Sequence, residues 1–452
     1  MDLAKIKHIH FTAIGGNGMA PLAIHCKKMG FHVTGTDKNS DLFPQLISAG
    51  IEPLNYHLEN IGNPDLLVYS AAVKAENIEL QDAFRKGIKA IKRSEMMGLI
   101  TKCGKTIMIC GSHGKSTTTI MLSDILSPLG FAAITGASSV SQNSNYYNGD
   151  SDKLIIEGDE YDRSFLKMYA DEIVLLNIDN DHMDIYENID NLKETFVELC
   201  NKISENGKIY YNYDDEHVRS VLERVSNCKK IPFGLSKLSS NRVQNIVFSN
   251  NFLEFDLFLE DKFVGRLKIK SIGNYNALNM LAAIVCAVNN GLSIDDLPKS
   301  VLNFQGVRRR SDIIYNGDIM LVDDYAHHPT ELESILEVIT SLKRRVIVLF
   351  QPHLFSRTRE HYVMFAKALS KADKIMIAPI YPARELPDGV TTSHLIYNAL
   401  TEEDRSKAMV FEDLWDSYPY IKNIMEKNDI IVSIGAGEAN KVLYELKRGL
   451  DA

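Results

Sequence analysis

The chain has 452 residues, 45% apolar and 24% charged, and its 50 basic against 59 acidic side chains leave a formal charge of −9. Roughly three domains of about 150 residues fit that length, the acidic balance offers no footprint for nucleic acid, and no stretch approaches the roughly 18 consecutive apolar residues of a membrane span. The opening Met1-Asp-Leu-Ala-Lys5 also lacks an apolar leader core, so a cytoplasmic globular protein with no nucleic-acid partner and no membrane insertion is expected, as a monomer or homodimer. Six cysteines, Cys26, Cys103, Cys110, Cys200, Cys228 and Cys286, show no Cys-x-x-Cys spacing, which favours reduced thiols over disulfides or zinc.

Residues 7–14 read as a strand that runs into Gly15-Gly16-Asn17-Gly18-Met19 and then a helix to Gly30, with a second strand over 31–37 ending at Asp37. A strand, glycine turn, helix and second strand closing on an acid outline a nucleotide-binding βαβ unit. The glycines do not complete G-x-G-x-x-G, because Pro21 stands at the third position, although proline is tolerated in a first helical turn. A nucleotide diphosphate is expected on Gly15 to Gly18, with ribose or a neighbouring group near Asp37. Further strands are expected at 66–70 and 90–92, and Ser70 falls at a strand's carboxyl end, where ligands of such sheets collect.

The sharpest signal is Thr106-Ile-Met-Ile-Cys-Gly111-Ser112-His113-Gly114-Lys115-Ser116-Thr117, an apolar strand leading into a glycine turn and a helix. Gly111 and Gly114 permit backbone angles that aim N–H groups at a phosphate, Lys115 adds a cation, and the Ser116 hydroxyl suits magnesium. The helix start contributes its positive dipole end. Ile109 occupies the place where the general P-loop pattern has its first glycine. A Ser/Asn-rich stretch, 138–151, is expected to be a mobile or ligand-covering loop. After strand 154–157 come Glu157, Asp159, Glu160 and Asp162, a run of acids that is costly to bury unless a cation meets it. Strand 173–178 then leads to Asp181-His182-Met-Asp184, where His182 is a candidate metal ligand.

A helix over 191–203 and a strand over 208–212 continue this unit, and residues 245–272 alternate apolar and polar as an antiparallel meander turning at Asp261. Asn276 and Asn279, three apart on one helix face, can grip a ligand or serve as caps. Arg308-Arg309-Arg310 can bridge phosphate oxygens or remain a solvated run. Strands at 319–324, 345–350, 374–378 and 430–434 alternate with helices and carry polar groups at their ends, among them Asp323, Asp324, Tyr325, His327 and His353. This predicts a further open α/β sheet.

Together these motifs resemble the Mur ligases, ATP-dependent amide-forming enzymes of peptidoglycan precursor synthesis, in order along nearly the whole chain. Gly111 to Thr119 is similar to the family's ATP loop, Glu157-Gly-Asp-Glu160 and Asp181-His182 to its metal-binding segments, and Asn276 with Asn279 to its nucleotide-contacting helix. Arg309-Arg310 and Asp323-Asp324-Tyr-Ala-His-His-Pro329 resemble its hinge and C-terminal ATP contacts. Gly15 to Met19, Phe350-Gln-Pro-His-Leu-Phe-Ser-Arg357-Thr-Arg359-Glu and Ile380-Tyr-Pro-Ala-Arg-Glu385 narrow the resemblance to addition of the first amino acid. A sibling activity that attaches a ready-made peptide shares fewer of these stretches. The chain departs from the family pattern at Ser116, Tyr275 and Ser311.

The resemblance implies an α/β fold of three domains: a Rossmann-like UDP-sugar domain over 1–104, a central P-loop ATPase-type domain with a small antiparallel meander over 105–312, and a Rossmann-like domain over 313–452. It implies ATP and Mg2+, with UDP-N-acetylmuramate and L-alanine as substrates. Gly111 to Thr117, with Asn276, Asn279, Arg310, Asp323 and Asp324, would hold ATP; Ser116, Glu157 and His182 would hold magnesium. Lys115, Glu157, His182, Arg309 and Arg310 would serve catalysis. Gly15 to Met19, Asp37, Ser70, Tyr325 and His327 would bind substrate, with His353, Arg357 and Arg359 facing the amino acid's carboxylate. Two readings of other classes stay open on sequence alone. A dinucleotide-dependent oxidoreductase would suit two glycine-turn sheets but lacks a complete G-x-G-x-x-G, and a non-catalytic UDP-sugar sensor would have no need of Lys115, Glu157 and His182.

Overall fold

A computed structural model describes residues 1–38, 40–55, 61–180, 183–226, 228–249, 252–383 and 385–451. The chain divides into two compact units, one comprising Met1–Ser249, Leu253–Lys270 and Asn274–Gln305, the other chiefly Gly306–Ala452.

The first unit contains a wholly parallel sheet and a larger one that is parallel except at the edge where Phe131–Ser139 pairs with Ser144–Tyr147. In the smaller one, β1 (His8–Thr12), β2 (His32–Thr36), β3 (Leu66–Tyr69) and β4 (Lys89–Lys92) lie in the order β2-β1-β3-β4, with every pairing parallel. Ile9 and Phe11 of β1 are fully buried. The chain leaves β1 through Ala13 at φ 66° and enters the helix Ala20–Lys28, whose Pro21 occupies the first turn, where its missing N–H has no partner to lose.

The larger sheet has the order β11-β10-β9-β5-β8-β6-β7. Its strands are β5 (Lys105–Cys110), β6 (Phe131–Ser139), β7 (Ser144–Tyr147), β8 (Asp150–Glu157), β9 (Glu172–Leu175), β10 (Lys208–Asn212) and β11 (Lys229–Phe233). Strand β5 is central, paired in parallel with β8 and β9, and Ile107, Met108 and Ile109 are fully buried; a strand covered on both faces reads as a continuous apolar run. The helix Lys115–Leu126 leaves the end of β5 and packs against the helix Asn274–Asn289. Strands β12 (Arg242–Ser249), β13 (Phe252–Leu259) and β14 (Lys262–Ile269) form the small sheet that precedes that second helix.

The Ser/Asn-rich stretch 138–151 is not a loose cover. Strand β6 runs through Ser139, β7 returns antiparallel from Ser144, and β8 begins at Asp150. Its polar groups are met inside the unit: the Ser141 hydroxyl donates to Asp124 Oδ1 at 3.1 Å and the Tyr147 hydroxyl to the same oxygen at 2.9 Å. Composition marks such a stretch as solvated, but Asp124, on the buried face of the helix Lys115–Leu126, supplies the partner that composition cannot show.

In the second unit, β15 (Asp312–Asn316), β16 (Met320–Asp324), β17 (Val346–Phe350), β18 (Lys374–Ile377), β19 (Ala408–Val410) and β20 (Ile430–Ile434) lie in the order β15-β16-β20-β17-β18-β19. All pairings are parallel except β15 with β16. The carboxyl ends of β16, β20 and β17 are neighbours, bringing Asp323, Asp324, Gly435 and Gln351 to one rim. No helix among the described residues is long and apolar enough to cross a membrane.

Burial pushes the Asp124 carboxyl up to about 7, against the hydrogen bonds from Tyr147 and Ser141. The folded protein thus keeps a proton that the unfolded chain, with an aspartate near 3.9, gives up. Stability from this group is fully present below about pH 4 and is lost as pH rises through 7. In denaturant titrations from pH 4 to 8, Asp124→Asn is expected to gain on the wild type by a few kcal/mol, on the order set by that difference; a constant gap across the window would refute it.

Candidate active site

The turn after β5 is shaped by two glycines. Gly111 has φ 138° and Gly114 φ 83°, both in the region that costs a side-chain-bearing residue roughly 1–2 kcal/mol. Space is also exhausted: a Cβ on Gly111 would lie 2.9 Å from the Asn177 carbonyl oxygen, and one on Gly114 2.8 Å from Asn279 Oδ1. Asn177, just past β9, clamps the turn by accepting from the His113 amide at 2.8 Å and donating to its carbonyl at 3.0 Å. Ser112 ties it again through its amide to the Asn177 carbonyl at 3.1 Å and its hydroxyl to the Asp179 amide at 2.9 Å.

Lys115 opens the helix with its ammonium turned back over the loop. It donates to the carbonyls of Gly111 at 2.6 Å and Ser112 at 3.1 Å, and to Glu160 Oε1 at 2.8 Å. Glu160 is fully buried, and burial raises its carboxyl above the usual range while Lys115 opposes the rise. One step along the helix, Ser116 Oγ donates to Glu157 Oε2 at 2.9 Å, and Glu157 Oε1 accepts from the Gly136 amide at 2.5 Å. Thr117 completes the turn, half-buried. Asn276 and Asn279 are both buried, and Asn279 Nδ2 donates to Asn276 Oδ1 at 3.2 Å, so the predicted pair stands directly beside Gly114. His182 lies outside the described residues.

The N-terminal glycine loop is held from three directions. Its Gly15 amide donates to Asp37 Oδ2 at 2.7 Å, so Asp37 secures the loop itself. Asn145 of β7 donates to the Asn17 carbonyl at 2.7 Å and accepts from Gln45 at 2.9 Å. The Arg93 side chain crowds Gly18, where a Cβ would come within 3.2 Å of Nη1. Met19 is buried, and its amide closes a turn onto the Gly16 carbonyl at 2.9 Å. Ser70 follows β3, its hydroxyl accepting from the Ala72 amide at 3.3 Å.

The second unit gathers its own cluster. Arg309 Nε is 3.6 Å from Asp323 Oδ2, its terminal nitrogen donates to the Gly435 carbonyl, and its guanidinium stands 4.9 Å from the centre of the Tyr325 ring, with that of Arg310 at 5.4 Å. Burial pushes Asp323 up to about 7, against the Arg309 charge and a 3.0 Å hydrogen bond from Ser433. Asp324 accepts from the amides of Ser311 at 2.7 Å and Ala326 at 2.8 Å. His327, its basicity lowered by burial, packs edge-on to His353, which stacks on Tyr381. Arg357 Nη1 is 3.2 Å from His353 Nδ1. Arg359 is not brought to this group: two positions along a helix is more than half a turn, and it pairs instead with Asp388 at 2.8 Å. Arg384 lies outside the described residues.

Glu160, Asn177, Asn145 and Arg93 have no individual role assigned from the sequence. Glu160 had a signal in the run of acids, of which Glu157 alone was chosen. The other three act across 64, 128 and 75 positions of chain respectively, and nothing local marks them.

A strand, a glycine turn and a helix that starts with lysine and serine, set in a mostly parallel sheet, have the geometry of a P-loop. Comparison with known proteins narrows the class. The Mur ligase family catalytic-domain profile matches residues 8–103, the middle-domain profile 109–287 and the glutamate ligase domain profile 309–437. Among curated relatives, the UDP-N-acetylmuramate--L-alanine ligases of Dictyoglomus turgidum and Alkaliphilus metalliredigens are 34% and 36% identical, each over 97% of this chain and 96% of the relative. A crystal structure of a UDP-N-acetylmuramate-alanine ligase from Thermotoga maritima superposes with a TM-score of 0.80 at 24% identity, covering 99% of both chains. The chain belongs to the Mur ligase family.

Gly114→Ala combines a disfavoured φ with a clash on Asn279. It is expected to lower the thermal midpoint and to weaken ATP binding at least about tenfold, or roughly 1.4 kcal/mol, in calorimetric titrations. Wild-type affinity would contradict the placement of phosphate at this turn.

Proposed function

We propose that this chain is a cytoplasmic ATP-dependent ligase that joins L-alanine to the lactyl carboxylate of UDP-N-acetylmuramate, a step of peptidoglycan precursor synthesis. The observation that carries the reading is the pairing of Lys115 with buried Glu160 beside the Ser116–Glu157 contact, in a chain whose relatives of that name match it end to end. The domain division 1–104, 105–312 and 313–452 belongs to the same proposal and is supported by the three profile matches.

The residues present fit the groups the reaction needs. The turn at Gly111 and Gly114 is a cradle that any Cβ would fill, as a phosphate pressed on backbone amides requires. Ser116 Oγ and Glu157 Oε2 are the hard oxygen donors that suit Mg2+, and the ion, when bound, supplies charge neutralisation on the phosphate oxygens. His182 is assigned to a second ion by the same proposal.

In this reaction a lactyl carboxylate oxygen attacks the γ-phosphorus of ATP, ADP leaves, and an acyl phosphate remains. The neutral amine of L-alanine then adds to the acyl carbon, phosphate departs and the nitrogen loses its extra proton. Lys115 would bring its positive charge to the phosphoryl oxygens, and catalysis of phosphoryl transfer rests mainly on such positioning and charge stabilisation. Glu160 and the two loop carbonyls take the three N–H donors of the ammonium in this structure, so an arriving phosphoryl oxygen would replace a loop carbonyl while Glu160 keeps the cation in place. Gly15 to Met19 would take the UDP group, with Asp37 and Ser70 shaping its surroundings. In the second unit, Arg309, Arg310, Asp323, Asp324, Tyr325 and His327 are assigned to the nucleotide and the reacting groups, and His353 with Arg357 to the carboxylate of alanine.

Phosphate release from ATP should require UDP-N-acetylmuramate and L-alanine together; release with either omitted, or none with both, overturns the assignment. Lys115→Ala should reduce turnover by at least about a thousandfold, in line with loss of a transition-state cation, while UDP-N-acetylmuramate binding persists. Substantial turnover in that variant would remove the loop from the chemistry.

A further inference from the structure

Arg93 has no part in the chemistry described above, yet it lies between two of its loops. It opens the helix Arg93–Ile100, directly after β4. That helix is pressed onto the turn Tyr161–Lys167 that follows the acidic run: a Cβ on Gly98 would fall 2.2 Å from the Lys167 carbonyl oxygen, and Lys167 Nζ donates to Ser94 Oγ at 3.3 Å. The base of Arg93 is therefore fixed with respect to both the N-terminal glycine loop and residues 157–162.

Its side chain runs along Gly18. A Cβ there would be 3.2 Å from Nη1 and 3.3 Å from Cδ and Cζ. Gly18 does not have a positive φ, so the backbone would accept a larger residue, and it is the guanidinium that crowds one. At the other end, Arg93 Nη2 stands 3.8 Å from Asp159 Oδ2, beyond hydrogen-bond distance, with the two side chains 29% and 44% exposed. An ion pair of that length and exposure contributes about 1 kcal/mol at most, too little to account for a cation laid against a glycine loop.

Three of the five amides of the loop Gly15 to Met19 are already engaged within the protein. The amides of Gly15, Gly16 and Met19 already donate, to Asp37 Oδ2, the Ala13 carbonyl and the Gly16 carbonyl respectively. Asp37 also places a carboxylate beside the loop. An anion settling there needs a positive charge from a side chain, and a guanidinium meets phosphate oxygens with two parallel donors.

We propose that Arg93 is a substrate-binding residue that reaches over Gly18 to the diphosphate of the UDP-sugar. This rests on the reading of Gly15 to Met19 as the UDP site. It assigns a role to the close approach at Gly18 and places a substrate contact next to the acidic run that leads to Glu160.

The test is calorimetric binding of UDP-N-acetylmuramate and of UDP, without ATP or alanine, to the full-length wild type and to Arg93→Ala, Arg93→Lys and Asp159→Asn, each checked for an unchanged circular dichroism spectrum. Arg93→Ala is expected to weaken both ligands at least about tenfold, Arg93→Lys to fall between, and Asp159→Asn to stay within about threefold of wild type. In turnover, Arg93→Ala should raise KM for UDP-N-acetylmuramate while kcat and KM for ATP change less than about threefold. Arg93→Ala binding both ligands as the wild type does overturns the proposal. So does an equal loss in Asp159→Asn, which would make Arg93 a structural tie, or a loss confined to UDP-N-acetylmuramate, which would move the contact to its carboxylate. Failure of the wild type to bind either ligand overturns the UDP-site reading itself, before any variant is compared.

Discussion

The position of one ammonium group, that of Lys115, is the constraint on which the rest of the first unit depends. Glu160 is fully buried and its carboxylate is met by Lys115 at 2.8 Å. Removing one partner of such a pair costs about 3–5 kcal/mol, because the other charge stays buried. The pair is thus weak as a source of net stability and strong as a locator: it fixes where the cation sits, and with it the mouth of the loop. Asn177 on one side and Asn279 on the other set the backbone to which that cation returns.

The same economy links the two glycine loops of the first unit. Strand β7 supplies Asn145 to the Asn17 carbonyl, and through Tyr147 it also leans on Asp124 in the helix that Lys115 begins. The helix Arg93–Ile100 closes the circuit from the other side through Gly98 and Lys167. The two glycine loops, built on different sheets, therefore share a frame of packed elements and polar contacts. Preorganisation of this kind is what a reaction with a water-sensitive acyl phosphate demands.

Much of this was legible in the sequence where the signal is local. The strand over 208–212 was read with the bounds it has, and β5 with its glycine turn announced itself by an apolar run, two glycines and a lysine. Asn276 and Asn279 were found because helical spacing puts them on one face. What was hidden depends on partners far away in the chain. The stretch 138–151 read as a loose loop because serine and asparagine favour solvent, yet Asp124 draws it into the sheet. Asp37 is expected beside ribose or a neighbouring group, and what the sequence does not mark is that its carboxylate also holds the Gly15 amide, 22 positions away. Arg359 was grouped with Arg357 by proximity in sequence, although helical geometry turns it toward Asp388. The acidic run was recognised as needing a cation, but which acid meets Lys115 is a matter of tertiary distance, and it is Glu160.

The central claim, that this lysine-bearing loop serves transfer of phosphate to a carboxylate, is tested most directly by labelling both lactyl carboxylate oxygens of UDP-N-acetylmuramate with 18O and following turnover with ATP and L-alanine by mass spectrometry. An acyl phosphate route predicts one labelled oxygen in each phosphate released and one retained in the new amide carbonyl. Unlabelled phosphate accompanying amide formation would contradict it.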